Sequence, residues 1–225
     1  MAMATSDLGN GLDAPSAQDR LVEAGEDLFC RRGFNETSVR DIAAAAGCNV
    51  ASINYYFGGK DKLYVEVWHR MLASIRQARL ESVDRVMSGT EHPELEDLLR
   101  SYADSFLSPL ADGDQSCRFV HLMARELIDP HLPSGMLITE MVGPVMAALT
   151  EALCEICPGL ERGRVRPIIL SVVGQLVYTV CAMHMFEDSE DPELPPLDLN
   201  EMVEHVVRFS AAGIRGYVDE TGETR

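Results

Sequence analysis

Apolar residues recur at helical spacing along most of the chain, and no stretch alternates apolar and polar residues as a β-strand would. The first predicted helix begins after Ser16, an N-cap residue, and ends at Gly33. Its apolar stripe consists of Leu21, Ala24, Leu28 and Phe29. The pattern predicts an all-α fold.

Two short helices joined by a tight turn are predicted next. Thr37 or Ser38 caps the first of them, Asn49 caps the second, and Gly47 suits a turn with positive φ. Their apolar positions are Val39, Ile42, Ala43 and Ala46, then Val50, Ile53 and Phe57. Two helices linked by a short turn that contains Gly predict a helix-turn-helix unit, whose second helix enters the major groove of DNA.

A long helix from Gly59 to about Val86 is predicted to link this small domain to a larger one. Further helices are predicted from His92-Pro93 onward and over residues 114–128, 134–157, 165–186 and 199–218. Within residues 134–157, Gly143-Pro144 interrupts the pattern and predicts a kink.

The last two predicted helices carry more apolar surface than one subunit can cover. Residues 165–186 are apolar nearly all round, and residues 199–218 have a broad apolar face. An isologous four-helix interface between two copies would bury both. The pattern therefore predicts a homodimer through residues 165–186 and 199–218, with Val203 and Val206 facing the partner.

Length and composition indicate a folded, cytoplasmic protein. A chain of 225 residues suits one small and one larger domain, and 46% of the residues are hydrophobic. We expect no apolar run of membrane-spanning length, and the first residues lack the pattern of a signal peptide. No membrane contact is therefore predicted.

The net charge of −17 argues against nucleic-acid binding until its distribution is considered. Residues 71–225 carry 12 basic and 26 acidic side chains. Between Leu28 and Lys62 the balance is +2, from Arg31, Arg32, Arg40, Lys60 and Lys62 against Glu36, Asp41 and Asp61. A small basic surface on an acidic body predicts few phosphate contacts and weak non-specific affinity for DNA.

The run Gly33–Gly47 (GFNETSVRDIAAAAG) and the later YYFGGKDKL resemble the N-terminal domain of the TetR family of bacterial repressors. The resemblance implies a homodimer that binds a palindromic operator and releases it when a small molecule occupies the C-terminal domain. It implies a DNA-binding domain at residues 16–76, with its motif at 38–57, and an effector-binding and dimerisation domain at 77–225. Residues 1–15 are small and polar, with two Gly and a Pro, and are predicted to form a flexible arm.

A second resemblance concerns the larger domain. Residues 119–126 (FVHLMARE), followed by Pro130, are similar to the effector domain of the CecR-type branch of the family. The segment ASINYYFG also suits that branch and the related fatty-acid-responsive regulators. These segments narrow the branch and name no ligand.

The motif and its resemblance select candidate DNA contacts, which are Ser38, Arg40, Asn49, Val50, Ala51, Ser52, Asn54, Tyr55 and Lys60. The small side chains at positions 50 and 51 let the helix approach base edges, and Asn54 can read adenine. Lys60 begins a helix, where its ammonium and the backbone amides can both hold a phosphate. Tyr56 and Phe57 are assigned to the core.

A largely apolar organic effector is predicted from the Met and aromatic residues of the larger domain, with no cofactor. Its expected contacts are Tyr102, Phe106, Phe119, His121, Met123, Arg125, Met141, Tyr178 and His184. His121 or Arg125 would hold a carboxylate or hydroxyl group at the rim. The break at Gly143-Pro144 would keep one helix from packing flush and leave a cleft.

Six cysteines leave a thiol- or metal-responsive regulator as the alternative. Cys117 and His121 are four residues apart on one helix face, and Cys154 and Cys157 form a C-x-x-C pair. A structural zinc site needs four ligands, and free Cys behaves as a small apolar residue, so no metal site is predicted. No enzyme is expected either, because the chain has neither a Ser-His-Asp elbow nor a Gly-rich phosphate loop.

Overall fold

The computed structural model describes residues 15–111, 119, 122, 123, 125, 126, 128–186 and 196–222. These residues are almost entirely helical and include no strand, as the sequence predicts. The helices are α1 (Ala17–Glu36), α2 (Val39–Ala45), α3 (Val50–Phe57), α4 (Lys60–Gly89), α5 (Leu95–Ala111), α6 (Gly143–Ile156), α7 (Arg162–Phe186) and α8 (Leu199–Gly222). The chain divides into two compact units, one ending at Val67 and one beginning at Trp68.

The first unit is a three-helix arrangement in which α1, α2 and α3 all pack on one another, closed by the first residues of α4. Its fully buried side chains include Leu21, Phe29, Ile42, Ile53, Leu63 and Tyr64. The ring of Tyr64 lies edge-on to those of Phe29 and Phe34, with ring centroids 5.0 Å apart in both pairs. This core fixes α3 relative to α1 and α2.

The second unit is built around α5, α6, α7 and α8, with α5 and α7 both packing against α8. One continuous apolar cluster joins them and includes Leu98, Leu149, Val165, Leu176, Val207 and Ile214. Two arginine–carboxylate pairs, Arg215–Glu96 and Arg100–Glu204, also connect α5 with α8. Their side chains are partly or largely exposed, so solvent screens these pairs and they add little to the stability.

A π-helical turn over Ile138–Val142, here called the π-turn, precedes α6 where the sequence predicts a simple kink. The backbone N–H of Gly143 donates to the carbonyl of Ile138, which closes the wide turn. A Cβ at position 143 would lie 3.0 Å from that carbonyl oxygen, so Gly suits this position. Pro144 then stands in the first turn of α6, a position at which Pro is common.

Other predicted boundaries can be compared with the structure. Gly33 is non-helical, at φ 83° and ψ 174°, so the regular part of α1 ends there as the sequence predicts, and a short helical segment continues to Glu36. Helix α5 begins at Leu95 rather than at His92-Pro93. The predicted helix over residues 114–128 lies partly outside the described residues, as does the arm at residues 1–15.

The expectation that no segment is long and apolar enough to span a membrane is wrong. One described helix, α7, meets both criteria. Within the described residues, Arg162–Met183 has a mean hydropathy of 1.6 over its best window, of which 39% is buried. Helices buried inside a protein share this composition, and α7 packs against α5, α6 and α8. Its remaining apolar surface is on the outer side of the second unit.

Candidate nucleic-acid interface and effector site

Hydrogen bonds between Ser38 and Asp41 fix the start of α2. The Ser38 hydroxyl accepts a hydrogen bond from the N–H of Asp41, and the Asp41 carboxylate accepts from the Ser38 hydroxyl at 2.7 Å. These bonds to Ser38 lower the pKa of Asp41. Thr37, the other capping candidate, is buried, and its hydroxyl donates to the Gly33 carbonyl at 2.7 Å.

The turn after α2 is a Schellman motif. The N–H of Cys48 donates to the carbonyl of Ala43 at 2.9 Å, and that of Gly47 to Ala44 at 3.2 Å, with Gly47 at φ 61°. Asn49 then caps α3, because its side-chain oxygen accepts from the N–H of Ala51 at 2.9 Å. The turn and both caps are those that the sequence predicts.

Helix α3 buries one side and exposes the other. Ile53 and Phe57 are buried in the first unit, whereas Val50, Ala51, Asn54 and Tyr55 are exposed, Tyr55 by 83%. Ser52 is half-buried. Ser38, Arg40 and Asn49, the candidates outside the body of α3, are exposed as well. Tyr56 was assigned to the core and is instead 43% exposed, beside the ring of Tyr55.

Lys60 is the first residue of α4, and its ammonium contacts an aromatic ring. Its ammonium lies 4.1 Å from the centroid of the Phe34 ring, and partial burial lowers its pKa while Asp61 opposes that shift. A lysine held this way is positioned by a cation–π contact and still has N–H donors for a phosphate oxygen.

The other basic side chains of this unit differ in their partners. Arg31 pairs with Asp27 at 3.0 Å, and Arg32 lies 3.9 Å from Asp41. Arg40 and Lys62 are exposed and make no ion pair within the described chain. Carboxylates therefore engage two of the five basic side chains over residues 28–62, and Arg40, Lys62 and the partly buried Lys60 remain for phosphates.

Arg20 on α1 is a positioning residue that the sequence analysis missed. Its Nε donates to the carbonyl of Ala46 at 3.1 Å, and its Nη2 to the sulfur of Cys48 at 3.6 Å. Its Nη1 also donates to the carbonyl of Pro15 at 2.9 Å. The guanidinium thus ties the helix-turn-helix turn to the first helix.

The predicted effector contacts do not form a single group. Tyr102 and Met141 are buried, Phe106, Phe119 and Met123 are half-buried, and Arg125 is exposed. Tyr178 lies on the outer side of α7, 63% exposed. His121 and the side chain of His184 lie outside the described residues.

Tyr102, Phe106 and Met141 are brought together by Arg79, which the sequence analysis did not select. The Arg79 guanidinium lies 4.3 Å from the centroid of the Phe106 ring and donates to the Met141 sulfur at 3.6 Å. Burial lowers the pKa of Arg79 and raises that of Tyr102, and each group partly offsets the shift of the other. A cation whose pKa is shifted by burial marks a candidate functional site.

Val203 and Val206 were predicted to face a partner, and this prediction is wrong. They are 7% and 3% exposed because both belong to the apolar cluster inside the second unit. The exposed apolar side chains of α7 and α8 are instead Leu170, Val177, Tyr178, Met185, Phe209 and Tyr217. Between the two helices runs a groove of about 340 Å³, with Ser171, Gln175, Phe209 and Gly213 among its lining residues.

The described cysteines show no arrangement for metal binding. No group of three or more His, Cys, Asp or Glu side chains in the described part of the chain can hold a metal ion. Cys157 is buried, and burial raises the pKa of its thiol, which disfavours the reactive thiolate. Cys117 and His121 lie outside the described residues.

A capped helix-turn-helix with an exposed second helix defines the first unit as a DNA-binding domain. Residues 21–67 match the family described as bacterial regulatory proteins of the tetR family, and residues 100–213 match the tetracyclin repressor-like C-terminal domain. The chain belongs to the TetR family of DNA-binding transcriptional regulators, and it is a regulator rather than an enzyme.

Individual relatives are distant. The probable HTH-type transcriptional regulator YttP of Bacillus subtilis is 27% identical over 56% of this chain and 63% of its own length. The HTH-type transcriptional dual regulator CecR of Shigella flexneri is 25% identical over 61% of this chain and 63% of its own length. This chain therefore matches less than two thirds of either protein.

Solved structures share the fold. The transcriptional regulator FadR of Bacillus subtilis, in complex with stearoyl-CoA, has a TM-score of 0.61 and 18% identity, over 87% of this chain and 98% of FadR. At this identity, the likeness concerns the arrangement of helices alone.

Proposed function

We propose that the protein is a homodimeric repressor that binds a palindromic operator through α3 and is released by a small, largely apolar effector held in the second unit. The observation that carries this proposal is α3 itself. It is fixed by the Asn49 cap and the buried Ile53, and it exposes Val50, Ala51, Asn54 and Tyr55. Short side chains along an exposed helix allow close approach to base edges in the major groove.

Dimerisation is supported by the outer surface of α7 and α8. Phe209 is 64% exposed next to the groove between these helices, and Leu170 and Tyr178 are exposed on α7. A second copy that brings the same two helices would cover this surface, and two-fold symmetry would match a palindromic operator.

An apolar effector is supported by the aromatic and Met side chains around Arg79 and, by analogy, by the stearoyl-CoA in the FadR structure. Release requires that the effector binds the form with low DNA affinity more tightly than the other form. We propose α4 as the element that transmits the change, because Lys60 and Arg79 are both on this continuous helix.

The test is DNA binding by the purified protein on its own upstream region, by footprinting and fluorescence anisotropy. We expect one protected palindrome with half-site centres about 34–36 Å apart or a multiple of this, and release by an apolar ligand but not by metals or oxidants. A matched DNA with one half-site scrambled should bind much more weakly. Release by metals or oxidants alone would contradict the proposal of an apolar effector. It would support the alternative, a thiol- or metal-responsive regulator that uses Cys117 and His121 or Cys154 and Cys157.

A further inference from the structure

Arg79 is a buried cation without an anionic partner in the described part of the chain. Its side chain is 7% exposed, and its Nε atom is buried with no hydrogen-bond acceptor. Among the described residues, the guanidinium has one hydrogen-bond acceptor for its five N–H donors, which is the Met141 thioether that accepts from Nη1. A thioether is a weak acceptor, so the charge is poorly compensated.

The neighbouring carboxylate does not fill this role. Glu140 in the π-turn lies 3.7 Å from Arg76 and 3.6 Å from His69, and its backbone carbonyl accepts from Arg76 at 2.6 Å. Arg76 and Arg79 are three residues apart on α4, yet one is partnered by Glu140 and the other is not. Of these two arginines, Arg79 is the one without an anion among the described residues.

An unpaired buried charge lowers the stability of a fold unless another molecule supplies the missing partner. A ligand anion that pairs with the guanidinium would remove part of this penalty. A guanidinium buried among Tyr102, Phe106 and Met141 is therefore better explained by a ligand than by packing.

We propose that Arg79 binds the anionic group of the effector, a carboxylate or a phosphate, while the apolar part of the effector lies against Tyr102, Phe106 and Met141. This assignment rests on the proposed function, since it names the chemical class of the same effector. A guanidinium fork matches the oxyanions of both groups, which a free apolar acid and an acyl thioester of a phosphate-bearing carrier would each present.

One cavity of the second unit borders Tyr102, Leu98 and Leu153, and it measures about 10 Å³, which is room for one water molecule at most. This cavity would have to widen to hold the apolar part of an effector. A form that widens on binding would differ from the ligand-free form, which is the condition that effector-driven release requires.

The experiment measures ligand binding without DNA, by calorimetry or fluorescence displacement, with dodecanoate and dodecanol as probes of matched chain length. The wild-type protein should prefer the acid by about tenfold to a hundredfold, as expected for one charge-assisted hydrogen bond. Arg79→Met, which keeps the length of the side chain and removes the charge, should bind both probes equally. Lauroyl-CoA and coenzyme A alone, tested in parallel, distinguish a thioester from a free acid.

Arg76→Met is the matched control, because it removes the same charge from the same helix at a partnered position. It should keep the preference for the acid. The thermal midpoint of ligand-free Arg79→Met should equal or exceed that of the wild type, since an apolar group replaces an unpaired cation. Should this variant fail to fold, Arg79→Gln takes its place in the same comparison.

Equal binding of the acid by wild type and Arg79→Met, or an equal loss in Arg76→Met, would overturn the assignment. So would a wild-type protein that binds neither probe. Operator release is measured separately with the same probes. Arg79-dependent binding without release would contradict the proposed function and leave the binding site standing.

Discussion

Arg20 holds the turn of the helix-turn-helix by hydrogen bonds to Ala46 and Cys48. Removing it leaves the Ala46 carbonyl without this donor and frees the turn from α1. We expect Arg20→Ala to lower the free energy of unfolding by about 1–2 kcal/mol and to weaken operator binding, because α3 would be less firmly positioned. Urea unfolding and DNA titration on the same preparation measure both effects.

Arg31→Ala is the control for stability. Arg31 is on the same helix, but its exposed pair with Asp27 should contribute no more than about 0.5 kcal/mol. If Arg20→Ala and Arg31→Ala had the same free energy of unfolding, the contacts of Arg20 with the turn would not stabilise the fold.

Lys60 is expected to bind a phosphate rather than a base. Lys60→Ala should therefore weaken binding to all DNA sequences by a similar factor and lower the magnitude of the slope of log K against log salt by about 1. Substitution of Val50 or Asn54 should instead change which operator is preferred. Anisotropy titrations on operator and random DNA at several salt concentrations separate the two effects.

The control for Lys60 is Arg166→Ala, which removes one exposed positive charge from α7 in the second unit. It should leave the salt slope unchanged. An unaltered slope in Lys60→Ala would show that its ammonium stays on the Phe34 ring and does not reach the DNA.

Among the secondary structure elements, the π-turn depends on Gly143. An alanine there would place its Cβ 3.0 Å from the Ile138 carbonyl oxygen, so the turn must shift. We expect Gly143→Ala to destabilise the second unit by about 1–3 kcal/mol and to disturb the contacts of Glu140 with Arg76 and of Met141 with Arg79. Thermal unfolding and the binding of dodecanoate report on the two consequences.

Gly163→Ala tests whether the effect is specific to the π-turn. Gly163 is in α7, and a Cβ there would meet no atom within 4 Å. This substitution should be neutral or stabilising by about 0.5–1 kcal/mol, because it restricts the unfolded chain. A comparable loss of stability in both variants would contradict the steric explanation.

The elements of the first unit could be predicted because local rules determine them. The hydrogen bonds that form the caps at Ser38 and Asn49 and the turn at Gly47 join residues at most five positions apart. These caps and this turn can therefore be predicted from the sequence. Arg20 reaches residues 26 and 28 positions along the chain, and Arg79 reaches Met141, 62 positions away. Such contacts depend on how helices pack, and no spacing in the sequence indicates them.

The same reason explains the error at Val203 and Val206. The apolar stripe on α8 predicts that these side chains are buried. It does not indicate whether they are buried against the same subunit or against another one. Here the stripe packs into the subunit, on α5 and α7, and the outward side of α8 is marked by Phe209 and Tyr217. At the scale of the whole molecule, the centre of the proposed interface moves around this helix from Val203 and Val206 to Phe209, by roughly a quarter of a turn.

Dimer formation should therefore depend on Phe209 and not directly on Val206. Phe209→Asp introduces a charge into the proposed interface and should weaken the dimer by about 2 kcal/mol or more while leaving each subunit folded. Val206→Asp places a charge in the subunit core and should unfold the protein.

Ile128→Asp, at an 86% exposed apolar position outside α7 and α8, is the matched control and should remain dimeric. Sedimentation equilibrium with circular dichroism separates dissociation from unfolding, and operator titration should show that the Phe209→Asp monomer has lost its affinity for the palindrome, because one copy contacts only one half-site. A folded Phe209→Asp protein that dimerises as tightly as the wild type would show that two copies meet through another surface.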